Sequence, residues 1–372
     1  MAITDEPQVS HTIRHILGID RQRSSKSLFE QPSAAPASSV VERDVPLPIT
    51  NGPSGAHITS VDPMIPPASL LFEIPLVARA AHTVVHGRSS LQRILRDGDK
   101  RLMVIVGPRS ITDIAAATAL ARALAVYAQR VTDDMVIVFR AFFEADELDA
   151  TAGWTTMSQA PPDRSRVNDG LRLARSFLAT VTSQFGLPCA TRLVDIASPL
   201  YIGDLVSWAE SCSVELASGV PMPVGFETTV ADLPATIRAI AAAAKPHKYV
   251  SPTRSAMLAV ATSTGNAFAH PVIQVSATPV PFAAQIEQAV ALLSSYGLPA
   301  TMVLDISGPH TPLDLADDSL TRRARYVADA LLHDAAASVA GVSLQVDEPR
   351  HLAALFDALD ILRNGVVGRR NL

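Results

Sequence analysis

Cysteine is nearly absent, with only Cys189 and Cys212 in 372 residues. Two thiols cannot build a disulfide framework or a cysteine-based zinc site; both read as buried, small apolar residues. Aromatic residues are scarce at 5%, and basic charge is not in excess: 31 Lys and Arg against 36 Asp and Glu leave a net charge of −5. That balance argues against the basic surface that nucleic-acid backbones demand. No apolar run approaches the roughly 18–20 residues needed to span a bilayer. The N-terminus lacks the apolar core of a secretory signal, and Asp5, Glu6, Asp20 and Glu30 spoil a transit-peptide reading. HExxH, P-loop, GxGxxG and GxSxG patterns are all missing. The expectation is a soluble, cytoplasmic protein with a small-molecule substrate or effector, no nucleic-acid or membrane partner, and no cofactor.

What is present is an ordinary globular balance, 48% hydrophobic and 18% charged. Residues 1–65 are rich in Pro and Ser, as in PSAAPASS at 32–39. Such an extension buries too little to fold alone and is expected to be partly disordered or to pack in an oligomer. A short helix over His11–Ile19 is its one regular feature. From residue 66 to 372 short apolar runs alternate with amphipathic stretches. The runs are LMVIVG (102–107), MVIVFRA (135–141), LPCATRLV (187–194), MPVGF (222–226), KYVS (248–251), PVIQVS (271–276), ATMVLDIS (300–307) and VAGVSLQV (339–346). Helical patterns separate them, such as DIAAATALARALAVYAQR (113–130) and PFAAQIEQAVALLSSY (281–296). Strands apolar on both faces and followed by helices predict a single α/β domain, a (β/α)8 TIM barrel with an N-terminal extension.

In such a barrel the chemistry belongs at the C-terminal strand ends, so the strands double as a site list. Arg109 follows the first strand; Arg140, Glu144 and Glu147 end or follow the second. Arg192 and Asp195 follow the third, Glu227 the fourth, Arg254 the fifth, and Gln274 ends the sixth. Asp305 and His310 follow the seventh, and Gln345 ends the eighth. Several Arg, several carboxylates and one His suit a polar small molecule. No metal-ligand spacing emerges. Plain alternatives stand beside each residue: an internal ion pair for Arg109, a solvated loop for Glu147 and Glu227, a helix cap for Asp305, and a structural histidine for His310.

Several of these segments resemble the class I DAHP (3-deoxy-D-arabino-heptulosonate 7-phosphate) synthases. LMVIVGPRSITD (102–113) is similar to the family's first-strand motif, and VNDGLRLAR (167–175) to its next helix. GLPCATRLVDIASPLYIGDLVSWAE (186–210), VELASGVPMPVGF (214–226), ATSTGN (261–266) and GLPATMVLDIS (297–307) follow in order. The resemblance implies a TIM barrel and a homodimer or homotetramer. It also implies condensation of phosphoenolpyruvate with erythrose 4-phosphate on a divalent metal held by Cys, His, Glu and Asp.

The functional positions depart from that pattern. Arg109 stands for the Cys, Gly308 for the His and Gln345 for the Glu, and the segment carrying the Asp is shortened between Val346 and His351. The phosphate-binding Lys-Pro-Arg-Thr reads Ala145-Asp146-Glu147-Leu148; a Lys is Glu227 and an Arg is Gln274. Only Arg140 and Arg254 keep their charge. At ~4 Å and an effective dielectric near 20, each carboxylate facing a phosphate opposes binding by about 4 kcal/mol. The chain is therefore expected not to act as a DAHP synthase. Two readings follow. One is a repurposed, metal-independent enzyme of specialised metabolism for an unphosphorylated carbonyl compound, working by cyclisation, aldol-type or dehydration chemistry. Its catalytic set would be Arg109, His310, Glu227 and Glu144, with Arg140, Glu147, Arg254, Gln274, Asp305 and Gln345 binding substrate. The other is a non-catalytic pseudoenzyme that binds a partner or effector.

Overall fold

The computed structural model describes residues 63–143, 166–274, 282–307, 319–332, 338–346 and 352–370. The chain divides at Val61/Asp62, and every described residue belongs to Asp62–Leu372. The helix expected over His11–Ile19 lies outside the described residues. Helices α1 (Pro67–Glu73) and α2 (Ala78–Arg96) precede the first strand. Strands and helices then alternate: β1 (Leu102–Gly107), α3 (Ile114–Arg130), β2 (Met135–Arg140), α4 (Arg166–Thr180), β3 (Cys189–Arg192), α5 (Ser198–Ile202), β4 (Trp208–Glu210), α6 (Val214–Gly219), β5 (Val224–Thr228) and α7 (Leu233–Ala243). A hairpin of β6 (Lys248–Pro252) and β7 (Leu258–Thr262) interrupts the alternation. It resumes with β8 (His270–Gln274), α8 (Phe282–Ser295), β9 (Met302–Asp305), α9 (Ser319–Ala330), β10 (Val339–Gln345) and α10 (Leu352–Arg370).

Strands β1-β10-β9-β8-β5-β4-β3-β2 close into a barrel in which every pairing is parallel. The expected (β/α)8 barrel is therefore the observed fold, with one exchange of strands. KYVS does not join the barrel. It pairs antiparallel with β7 in a separate two-stranded sheet, whose Val250, Met257, Leu258 and Val260 are exposed. The barrel's fourth strand is instead WAE, three residues too few to display a period. Among the described residues no single helix is long and apolar enough to cross a membrane.

Alternation along each strand splits the core in two. Leu102, Val104 and Val106 of β1 face outward into the cluster shared with the helices, whereas Met103 and Ile105 face inward. On α3, Ala117, Ala121, Leu124 and Ala125 form the buried stripe, and Asp113 starts the helix by accepting from Ala115 N–H and Ala116 N–H at 2.8 and 3.0 Å. The barrel interior holds Val138, Ala190, Trp208, Val272 and Val303 with Leu91, Ile94 and Leu95 of α2, which closes its N-terminal end. Each of those α2 side chains contributes about 1.5–3 kcal/mol by burial. Arg88 fastens the same helix by donating to Gly203 and Val206 carbonyls at 2.6–2.9 Å.

Trp208 fills the middle of the barrel. Its Nε1–H donates to His270 Nε2 at 3.1 Å, and His270 Nδ1 lies 2.9 Å from Phe268 O, which fixes the neutral Nδ1–H form. Burial holds the His270 pKa down to about 4. A glycine makes room for the indole: a Cβ on Gly225 would stand 2.4 Å from Trp208 and 2.5 Å from Val272. Gly225→Ala is expected to destabilise the fold by about 1–3 kcal/mol through overpacking, read as a lower urea midpoint. Trp208→Phe in the same chain should recover part of that loss. An unchanged midpoint in the single variant would mean that the barrel interior is not tightly packed.

Candidate functional site

The strand register decides what faces the barrel mouth. Continuing each inward series by two residues leads from Val138 to Arg140, Ala190 to Arg192, Trp208 to Glu210, Gly225 to Glu227, Val272 to Gln274, and Val303 to Asp305. Gln345 lies beside Gly107 at the ends of β10 and β1. The apolar interior thus gives way within one residue pair to a charged side chain on five strands and to a carboxamide on a sixth.

Those side chains form one network. Arg192 Nε donates to Glu210 Oε1 at 2.7 Å, and its Nη2 reaches Glu227 Oε2 at 3.5 Å. Gln274 Nε2 donates to the other Glu227 oxygen at 2.5 Å. Arg140 Nη1 donates to Pro108 O and, at 2.8 Å, to Arg109 O. The Phe142 ring lies beneath both guanidiniums, 3.8 Å from Arg140 and 5.2 Å from Arg192, and lets two cations sit close together. Asp305 accepts from Ser307 N–H at 2.8 Å, and Arg323 of α9 donates to the next carbonyl, Ile306 O, at 2.9 Å.

Burial sets the protonation of the carboxylates. Glu210 is 7% exposed, and desolvation pushes its pKa up to about 7. Arg192 and Arg140 pull it down; Glu227 and Asp305 push it up. Asp305 is raised chiefly by burial, with Ser307 and Arg140 opposing. Arg323 is lowered by burial and raised by Asp305.

Of the residues singled out from sequence, Arg140, Glu227, Gln274, Asp305 and Gln345 lie at barrel strand ends. Arg109 stands exposed two residues beyond β1. Glu144, Glu147 and His310 lie outside the described residues. Arg254 is corrected: it sits in the hairpin turn, exposed, with its carbonyl accepting from Ala68 N–H at 2.8 Å. Because α7 carries the chain back from the mouth, that hairpin starts at the opposite end of the barrel. Cys189 is buried as expected, whereas Cys212 is exposed.

Sequence reasoning missed Glu210 and Arg323. Glu210 ends the strand that was too short to see; the period-2 step from Trp208 was its one signal. Arg323 lies on a helix, which a list of strand ends cannot reach.

A pocket of about 100 Å³ lies beside the mouth between β1 and α3, lined by Pro108, Ile111, Ala116, Leu120, Val346 and Leu352 among others. Asp113 there is engaged in capping α3, so this pocket offers shape while the ring offers chemistry. The divalent cation implied by the resemblance does not fit the described residues. A guanidinium at 109 repels it, a carboxamide at 345 is a neutral donor, and no three His, Cys, Asp or Glu among the described residues are placed to share a metal.

A closed parallel barrel with its polar side chains gathered at the C-terminal strand ends defines the class of (β/α)8 proteins that place their sites there. The profile of the DAHP synthetase I family matches residues 82–354, and the chain belongs to that family. It is 34% identical over 262 residues to the Phe-sensitive phospho-2-dehydro-3-deoxyheptonate aldolase of Escherichia coli K12, covering 68% of this chain and 74% of that one. The tyrosine-inhibited aldolase of Candida albicans is 34% identical over 230 residues, 59% of this chain and 62% of that one. The solved aldolase of Francisella tularensis superposes with a TM-score of 0.76 at 24% identity, over 84% of this chain and 99% of that one, and shares the fold.

The network yields a pH-dependent expectation. A carboxyl whose folded pKa is raised weakens the fold as pH rises from its unfolded value towards 7. Arg192 limits that loss by pairing with the ionised form. Arg192→Gln should therefore cost about 2–3 kcal/mol at pH 8, discounted from a fully buried pair because the Arg192 side chain is 25% exposed. At pH 5.5 Glu210 carries a proton and the cost should be much smaller. Chemical unfolding at the two pH values checks this; an equal loss at both would assign Arg192 to packing alone.

Proposed function

We propose that this member of an enzyme family has left DAHP synthesis and acts, without a metal, on an unphosphorylated carbonyl-containing small molecule. The observation that supports this most is the Arg192–Glu210–Glu227–Gln274 network. Where the family resemblance expects cations for phosphates, Glu227 and Gln274 stand, and Arg192 is engaged by two carboxylates. A phosphate entering there would meet carboxylates and a guanidinium already neutralised.

The proposed roles follow. Glu227, exposed at the end of β5, takes a proton from a carbon next to the substrate carbonyl; the electron pair moves to the carbonyl oxygen, opposed by the Arg109 cation. The resulting enolate either attacks a second carbonyl, whose oxygen takes the proton back from Glu227, or expels hydroxide, which takes that proton and leaves as water. Atoms and charges balance with no oxidant. His310 and Glu144 are proposed to share proton transfer, with Arg140, Glu147, Gln274, Asp305 and Gln345 orienting substrate. A role in specialised metabolism and a cytoplasmic location remain part of the proposal. The satisfied state of the network also favours a second reading, a non-catalytic subunit whose charged ring is structural.

Thermal denaturation with candidate ligands separates these readings. An unphosphorylated keto acid present at 100-fold over its Kd should add about 2.7 kcal/mol of stability, and Glu227→Gln should abolish the gain. Stabilisation by phosphoenolpyruvate or a divalent metal would overturn the proposal. Silence throughout the panel would transfer support to the partner-binding reading.

We propose further that the chain is a homodimer or homotetramer. The exposed apolar side chains of the β6–β7 hairpin support this. Light scattering should then return two or four times the chain mass, falling when Leu258 and Val260 are changed to Ser. A monomer in the unaltered chain would refute it.

A further inference from the structure

Building on the reading of the barrel mouth as the reaction site, we infer that Glu210 is a positioning residue that holds a proton and, through the shared guanidinium of Arg192, sets the state of Glu227. The geometry carries this. One guanidinium serves two carboxyl groups, at 2.7 Å to Glu210 and 3.5 Å to Glu227. The first partner is buried at the end of β4; the second is exposed at the end of β5. When Glu210 is ionised it holds Arg192 at the short distance, and Glu227 receives the weaker share of the cation. When Glu210 takes a proton from solvent, that competition ends and the charge of Arg192 is available to Glu227. One O–H bond forms on Glu210 as one breaks in a hydronium ion, and the reverse occurs when the proton leaves.

The groups facing Glu210 are Arg192 from β3, Arg140 from β2, Glu227 from β5 and Asp305 from β9. The two cations lower its pKa and the two anions raise it; desolvation is the largest influence and brings the exchange to about pH 7. Gln274 holds the other oxygen of Glu227 at 2.5 Å, which leaves the Arg192 side of that carboxylate as the one whose partner changes.

The test is a pH titration of the full-length protein with ¹³C-labelled glutamate carboxyl groups, followed by NMR. The expected result is one resonance with a midpoint near pH 7 that disappears in Glu210→Gln, and a second, assigned through Glu227→Gln, with an inflection at the same pH. Arg192→Gln should remove that inflection from Glu227, which a purely structural Glu210 would not do. If Glu210→Gln fails to fold, Glu227→Gln serves instead: loss of its negative charge should move the Glu210 midpoint to lower pH. A Glu210 that titrates in the ordinary carboxylate range, a Glu227 without the shared inflection, or an unmoved midpoint would each overturn the inference. No substrate is needed, so failure here is separate from failure of the ligand screen.

Discussion

Closure of eight parallel strands is the constraint on which everything else in this molecule rests. A closed sheet has no free edge, and each strand must present alternate side chains to a narrow interior and to a surrounding layer of helices. The interior accepts only what fits: Trp208 opposite Gly225, with His270 neutral beside it because a charge there has no water. At the N-terminal end α2 supplies the apolar floor. At the C-terminal end the same alternation that buries Val138 and Val272 delivers Arg140 and Gln274 to the opening. The site is thus a consequence of strand length and parity.

Charge in such an opening must pair or change its protonation. This chain does both. Arg140 is satisfied by backbone carbonyls and an aromatic face, and Arg192 by two carboxylates. Glu210, buried and ion-paired with Arg192, has its pKa lifted to about 7. The scaffold that carries this arrangement is that of the DAHP synthetase I family. Inward apolar positions of such a barrel are constrained by packing, whereas the strand-end positions are free to carry different chemistry on the same architecture.

Much was legible in the sequence alone. Seven of the eight barrel strands showed as apolar runs, since residues buried on both faces need no alternation to be seen. Arg140, Glu227, Gln274, Asp305 and Gln345 were found by the strand-end rule, which requires only that the strands be located. The one misassigned strand carried two errors with it: KYVS lent Arg254 a place at the mouth that it does not have, and WAE concealed Glu210. Local sequence cannot separate a barrel strand from a hairpin strand, because both are only a few residues long. What distinguishes them is whether partners exist on both edges.

Composition and hydrophobic pattern by themselves determined the class of fold, the direction of its site and the identity of most groups at the strand ends. These depend on periodicity and on one-dimensional order. Tertiary structure alone decided which strand stands fourth, that α2 closes the floor, and that Arg192 is shared between Glu210 and Glu227. It also decided that burial lifts one of those carboxyls to about 7. Residues 18 and 35 positions apart become ligands of one guanidinium only through the register of a closed sheet. Desolvation, which sets their protonation, is a property of the surroundings and not of the residue.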